Sequence, residues 1–121
     1  GIAPADAVIS DNCAGQKAER EDRKSKAIEL YRAHVMRFPQ DVITLRRLAR
    51  LTGKIGDDEA AIVLFLRVLK LKPNDEKALL NLGVAFARLG RYAPARQSWQ
   101  KLLRINPEHM DARSLLSQIP H

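Results

Sequence analysis

The amino-acid sequence predicts an all-α fold, a right-handed α-solenoid of stacked helical hairpins. Apolar residues recur at the three- and four-residue spacing of a helix face, and the pattern repeats every 34 residues along the chain. Pro39, Pro73 and Pro107 mark this period. The same offset relates three further sets: Ala27, Ala61 and Ala95; Tyr31, Phe65 and Trp99; and Val35, Leu69 and Leu103. With only six prolines and six aromatic residues in the chain, agreement at four positions indicates a true internal repeat.

The apolar spacing predicts helices at about residues 41–53, 58–71, 75–88 and 92–105, which pair into two hairpins. Asp57 and Asp58 stand where a helix N-cap and first turn favour acidic side chains. Gly56 and Gly90 lie one period apart at the turn inside each hairpin, where a positive φ is accessible to glycine.

This pattern resembles the tetratricopeptide repeat (TPR), a helical hairpin with Leu-Gly and aromatic positions before a final proline. Residues 76–109 match nearly throughout, with Leu79, Leu82, Gly83, Phe86, Ala95, Trp99 and Pro107. Residues 42–75 match through Leu45, Leu48, Ala61, Phe65 and Pro73, with Ala49 in the small position and Thr52 in an aromatic one. The resemblance implies that the paired helices approach closely at Gly83.

The ends of the chain fit the repeat less well. The expected divisions are a flexible leader at 1–14, and a TPR domain at 15–119 that comprises a first segment at 15–41, repeats at 42–75 and 76–108, and a capping helix at 109–119. The first segment is either a degraded repeat or one long helix, because its first-helix positions hold residues that bury little surface. The cap is expected because its outer face is polar.

Composition limits the classes of function. The longest apolar run, residues 60–66, is far shorter than the roughly 20 residues that span a bilayer, so no membrane helix is expected. Cys13 has no partner for an internal disulfide, and the sequence does not distinguish a cytoplasmic from a periplasmic location. A formal charge of +7 makes nucleic acid, anionic membrane and acidic peptide the candidate partners.

No catalytic constellation is evident, and we expect no enzyme activity, metal or cofactor. His34, His109 and His121 lack the spacing of metal ligands, and His34 falls in the same column as buried apolar positions, which favours a structural role. Helix capping accounts for the acidic run at 57–59. Cys13 has no neighbouring group that would lower its thiol pKa.

The candidate binding residues follow one stripe of the first helix of each repeat, which the resemblance places on the concave face. They are Ile43, Arg46, Arg47, Arg50 and Lys54 in one repeat and Lys77, Leu80, Asn81, Val84 and Arg88 in the next. Between Val42 and Ile55 the chain has four basic residues and no acidic one. Some TPR proteins hold a peptide's terminal carboxylate with Lys, Arg and Asn, and the resemblance implies comparable chemistry for Arg47, Lys77 and Asn81.

The leading hypothesis is therefore a non-enzymatic scaffold or adaptor that binds an acidic or C-terminal peptide of another protein in this groove. A solvated basic face without a ligand is the plainer alternative. Nucleic-acid binding is another, because a second basic surface is expected on the outer helices, but few aromatic residues are free to stack on bases. That surface comprises Arg67, Lys70, Arg96, Lys101 and Arg104. Self-association through the weak first repeat is a further alternative.

Overall fold

The computed structural model describes the backbone of residues 12–120 and the side chains of residues 22–120. This part of the chain is all-α, as predicted, and contains no strand. Its six helices are α1 (Asn12–Arg37), α2 (Val42–Lys54), α3 (Asp58–Leu71), α4 (Glu76–Arg88), α5 (Tyr92–Ile105) and α6 (Met110–Gln118). None of these helices combines the length and apolar character needed to cross a bilayer.

Successive helices pack side by side because short turns join them. The hairpins are α2–α3 and α4–α5; α3 packs on α4 to join them, α1 packs on α2, and α6 packs on α5. The first helices of the two hairpins, α2 and α4, also contact each other directly. One buried cluster, around Leu45, Leu48 and Phe65, joins α1 to α4, and a second, around Trp99 and Leu102, joins α4 to α6.

Side-chain caps define where the helices begin. Asp41, Asp75 and His109, which are one period apart, accept hydrogen bonds from the backbone N–H three residues later at 3.3, 3.0 and 3.2 Å. Asp57 caps α3 in the same way, as its position in the sequence predicted. Each bond satisfies a donor that the first turn of a helix otherwise leaves unpaired.

The glycines have the two roles that the sequence predicted. Gly56 and Gly90 have φ values of +94° and +76°, which only glycine adopts readily. Gly83 lies in α4 against the indole of Trp99, and a Cβ atom added there would lie 2.5 Å from Cε2 of that ring. The indole N–H donates to the carbonyl of Leu80 at 3.1 Å. The ring therefore occupies the space that a side chain at residue 83 would need.

Of the two alternatives for the N-terminal segment, a degraded repeat or one long helix, the structure has one helix of 26 residues. Because α1 begins at Asn12, residues 12–14 are helical, and the expected leader at 1–14 is too long by these three residues. Residues 1–11 lie outside the described part of the chain. The side chain of Cys13 and the whole of His121 also lie outside it.

His34 lies one period before Val68 and two before Leu102, as the sequence indicated, but its side chain is not buried as theirs are. The side chain of His34 is 42% exposed, and the next residue, Val35, is buried instead. Nε2 of His34 lies 2.7 Å from Oδ2 of Asp41, so the imidazole links the end of α1 to the cap of α2. This hydrogen bond, followed by those from Thr44, holds the pKa of Asp41 below its usual range.

Candidate functional site

A groove runs between α2 and α4, the two helices that the sequence placed on the concave face. Its lining comprises Ile43, Arg46, Arg47, Arg50, Lys77 and Asn81. A smaller cavity adjoins it towards the α2–α3 turn, and Arg50 and Asn81 line both. Lys54, Val84 and Arg88 line the smaller cavity. The structure thus brings nine of the ten predicted binding residues together, and the tenth, Leu80, lies on α4 next to Asn81.

Arg46 is engaged within the protein. Its Nη1 atom donates to Oδ2 of Asp75 at 2.7 Å, and the side chains are 26% and 6% exposed. Since the other carboxylate oxygen of Asp75 accepts the capping hydrogen bond from Ala78, both oxygens are satisfied. The pair ties the groove face of α2 to the start of α4, which fixes the spacing of the two walls.

Arg88 is also engaged, at the opposite end of α4. Its Nη1 atom lies 3.4 Å from both the carbonyl oxygen of Gly53 and Oδ1 of Asp58. Asp58 is buried, with 8% of its surface exposed, so the guanidinium supplies the positive partner that a buried carboxylate needs. Arg88 therefore connects the end of α4 to the turn between α2 and α3.

Four other cations give the groove its charge. Arg47, Arg50, Lys54 and Lys77 are exposed, and none has a hydrogen-bond or ion-pair partner among residues 22–120. The first three lie on α2, where no acidic side chain is present. Such cations can pair with carboxylates of a ligand without first breaking an internal contact.

The remaining wall is apolar or neutral. Leu80 and Val84 are half-buried and pack against the cluster around Trp99, so their inner surfaces support the core. Ile43 is 55% exposed at the other side of the groove. Asn81, also half-buried, places an amide between these surfaces. The groove can therefore contact aliphatic side chains as well as carboxylates.

Sequence reasoning missed Asp75 and Asp58 as the partners of the groove arginines. Asp75 stands one period after Asp41, a signal that identifies it as a cap. Its pairing with a residue 29 positions earlier has no such signal, because it depends on how two repeats stack. Over the described residues, no group of three or more His, Cys, Asp or Glu side chains could hold a metal ion.

Comparison with known sequences supports the repeat assignment. A family model described as TPR repeat matches residues 54–90, and one described as tetratricopeptide repeat matches residues 76–109. DnaJ homolog subfamily C member 3 of Rattus norvegicus is 28% identical over 105 residues, which cover 87% of this chain and 21% of that protein. The chain thus spans about a fifth of the length of this relative.

Three solved structures show the same fold. The first TPR of Spaghetti (RPAP3) bound to the HSP90 peptide SRMEEVD has a TM-score of 0.77 at 18% identity, covering 87% of this chain and 83% of that chain. The second TPR domain of human RPAP3, in complex with the HSP70 peptide SGPTIEEVD, gives 0.76 at 24% identity, with 96% and 97% covered. MamA protein gives 0.75 at 24% identity, with 84% and 56% covered.

Proposed function

The chain belongs to the tetratricopeptide-repeat family of protein-interaction modules, and from that premise we propose that it binds an acidic or carboxylate-bearing peptide in the groove between α2 and α4. In this role it is a non-enzymatic scaffold or adaptor. The partner is a segment of another protein, either an acidic stretch or a C-terminus, and no cofactor takes part.

The observation that carries this proposal is the set of unpaired cations on the groove walls. Arg47, Arg50 and Lys77 are exposed around Asn81, and no described carboxylate neutralises them. Guanidinium and ammonium groups form short, charge-assisted hydrogen bonds with carboxylates, and arginine does so through two parallel N–H donors. An acidic peptide would supply the anions that the protein itself does not place there.

The two RPAP3 domains support the choice of ligand class. Their peptides both end in Glu-Glu-Val-Asp, which combines acidic side chains with one aliphatic side chain. The groove and its adjoining cavity offer the complementary surfaces: cations and Ile43 on α2, and the half-buried Val84 on α4. A peptide of this composition is therefore a suitable probe for this chain.

The predicted site residues have different roles in this proposal. Arg47, Arg50, Lys77 and Asn81 contact the peptide directly, and Lys54 extends the positive surface towards the end of α2. Arg46 and Arg88 hold the walls in place through Asp75 and Asp58, Val84 gives the smaller cavity an apolar surface, and Leu80 packs against the core beneath them. The proposal assigns specificity for carboxylates to cations that lack internal partners.

The test is a calorimetric titration with a peptide ending in Glu-Glu-Val-Asp. The variant Arg47→Glu/Lys77→Glu should lose binding, mainly through faster dissociation. The control, Lys70→Glu/Arg104→Glu, makes the same change in net charge on α3 and α5 and should bind nearly as the unmodified protein does. A peptide with Gln-Gln-Val-Asn at its end should bind weakly, and an amidated one shows how much the terminal carboxylate contributes.

Two results would contradict the proposal. Equal losses from the two double variants would show that overall charge, and not the groove, governs binding. Tighter binding of a duplex oligonucleotide than of the peptide, with a steep dependence on salt, would favour the nucleic-acid alternative. Sedimentation over a range of protein concentrations separately tests self-association.

A further inference from the structure

The outer helices carry a second basic surface that the peptide groove does not use. Arg67 and Lys70 on α3 are related by one period to Lys101 and Arg104 on α5, so the stacked repeats present them as two matching pairs. Arg67, Lys70 and Arg104 are exposed, and Lys101 is half-buried. None of the four has a hydrogen-bond or ion-pair partner among residues 22–120.

Beyond the first turn of α3, neither helix carries an acidic side chain. Residues 60–72 and 92–105 contain no Asp or Glu. Glu59, at the start of α3, is bound by the guanidinium of Arg91. Arg96, the other basic residue predicted on this surface, donates to the carbonyl oxygen of Pro120 at 2.8 Å and is engaged there. The four cations therefore have neither an ion-pair partner nor an acidic neighbour on the same turns of their helices.

Exposed aliphatic side chains lie within the same surface. Val63 and Leu66 are 59% and 49% exposed, although both are large apolar residues. Val63 precedes Arg67 by four residues and Leu66 precedes Lys70 by four, which places all four on one face of α3. Single exposed aliphatic residues need no explanation, but a stripe that alternates them with unpaired cations has the chemistry of a membrane-surface helix.

We propose that this outer face of α3 and α5 binds an anionic lipid surface. Arg67, Lys70, Lys101 and Arg104 would meet the phosphate and carboxylate groups of the lipid heads. Val63 and Leu66 would enter the boundary with the acyl chains, where their burial replaces contact with water. The peptide groove lies on the first helices of the hairpins, so it would stay open while the outer face is bound.

The aliphatic residues favour lipid over nucleic acid as the occupant. Contact with a phosphodiester backbone uses the cations but leaves Val63 and Leu66 without an apolar partner. The stripe carries no aromatic side chain, because Phe65, which falls between Val63 and Lys70 in the sequence, is buried in the core; bases therefore have nothing there on which to stack. A second copy of this chain is disfavoured as the occupant by the formal charge of +7 on each molecule.

The first experiment is co-sedimentation with vesicles of phosphatidylcholine, with and without phosphatidylserine. The protein should bind only the anionic vesicles, and Lys70→Glu/Arg104→Glu should weaken binding by roughly twentyfold or more, since each basic residue near such a surface strengthens binding roughly fivefold. Arg47→Glu/Lys77→Glu is the matched control, with the same charge change in the groove, and should retain most of the binding. Thermal unfolding of both variants checks that they are folded.

A second variant separates lipid from the other anionic partners at constant charge. Val63→Ser/Leu66→Gln should weaken vesicle binding several-fold, with little effect on any binding of a duplex oligonucleotide. The proposal is overturned if the unmodified protein fails to bind phosphatidylserine vesicles, if both charge variants lose binding equally, or if the aliphatic variant binds vesicles normally. None of these results bears on peptide binding, so the two proposals fail independently.

Discussion

Replacing Gly83 with alanine tests whether the contact between α4 and α5 is as close as the structure indicates. The added Cβ would lie 2.5 Å from Cε2 and 2.8 Å from Cδ1 of Trp99, and closer still to Nε1. The indole cannot swing aside freely, because Trp99 is only 1% exposed and its N–H donates to the carbonyl of Leu80. Either the ring or the helix must therefore move.

Opposing free-energy contributions determine how much Gly83→Ala should change the stability. Alanine favours a helix interior over glycine by about 1 kcal/mol. Overpacking a close contact costs about 1–3 kcal/mol, and losing the indole hydrogen bond adds about 1 kcal/mol. Gly83→Ala should thus lower the free energy of unfolding by about 1–3 kcal/mol, the opposite sign to its effect in an open helix.

Gly53→Ala is the matched control. Gly53 also lies in a helix, but the nearest atom to its added Cβ would be Cβ of Ala61 at 3.6 Å, an ordinary contact. The corresponding residue one period later is Ala87. This variant should be neutral or stabilised by up to about 1 kcal/mol. Urea denaturation followed by circular dichroism measures both. A Gly83→Ala protein as stable as the unmodified one would refute the reasoning.

The preceding repeat suggests a second substitution that should compensate for Gly83→Ala. Ala49 and Phe65 occupy the positions of Gly83 and Trp99 one period earlier, so a larger residue on the first helix accompanies a smaller ring on the second. Trp99→Phe should therefore cost less in the Gly83→Ala background than alone, with a coupling free energy of about 0.5–3 kcal/mol. Strictly additive losses would show that the two side chains do not compete for space.

The remaining predictions concern ion pairs and caps. Arg46→Met should lower the free energy of unfolding, measured in urea, by about 1–2 kcal/mol, because it leaves the buried carboxylate of Asp75 without a cation. The control Arg47→Met should change stability little. A hydrogen bond from His34 lowers the pKa of Asp41 in the folded protein. The ionised Asp41 therefore stabilises the fold fully above its unfolded pKa of about 3.9, and this stabilisation is lost as the pH falls through the lower folded pKa. Asp41→Asn should flatten the acid side of a plot of urea midpoint against pH. His109→Asp should raise the melting temperature, because a carboxylate also interacts favourably with the helix dipole, for a gain of about 0.5–1 kcal/mol.

Most of the fold could be predicted because each repeat uses the same local signals. The helices predicted at 58–71 and 92–105 have those bounds in the structure. The helices predicted to begin at residues 41 and 75 begin one residue later, since Asp41 and Asp75 are N-caps and their own backbone is extended. Periodicity therefore predicts the helices, and the capping geometry determines the residue at which each one begins.

The groove was predicted less completely, because a helical stripe shows which side chains share a face but not what they contact. Arg46 and Arg47 are neighbours on the predicted stripe, yet one is bound to Asp75 and the other is unpaired. The exposure of His34 has a similar origin. The period aligned it with buried residues of complete hairpins, but α1 packs mainly on α2, and one side of its last turn stays exposed.

Trp99 joins the core of the second repeat to the groove, so its packing bears on binding as well as on stability. Its indole N–H donates to the carbonyl of Leu80, the residue that precedes the groove residue Asn81 on α4. A substitution that pushes the ring outward must shift this turn of α4 relative to α2. The spacing of cations across the groove would then change even in molecules that remain folded. Gly83→Ala should accordingly weaken peptide binding at temperatures well below its unfolding transition, whereas Gly53→Ala should not. Unchanged affinity in a folded but destabilised Gly83→Ala protein would show that the core and the groove are mechanically independent.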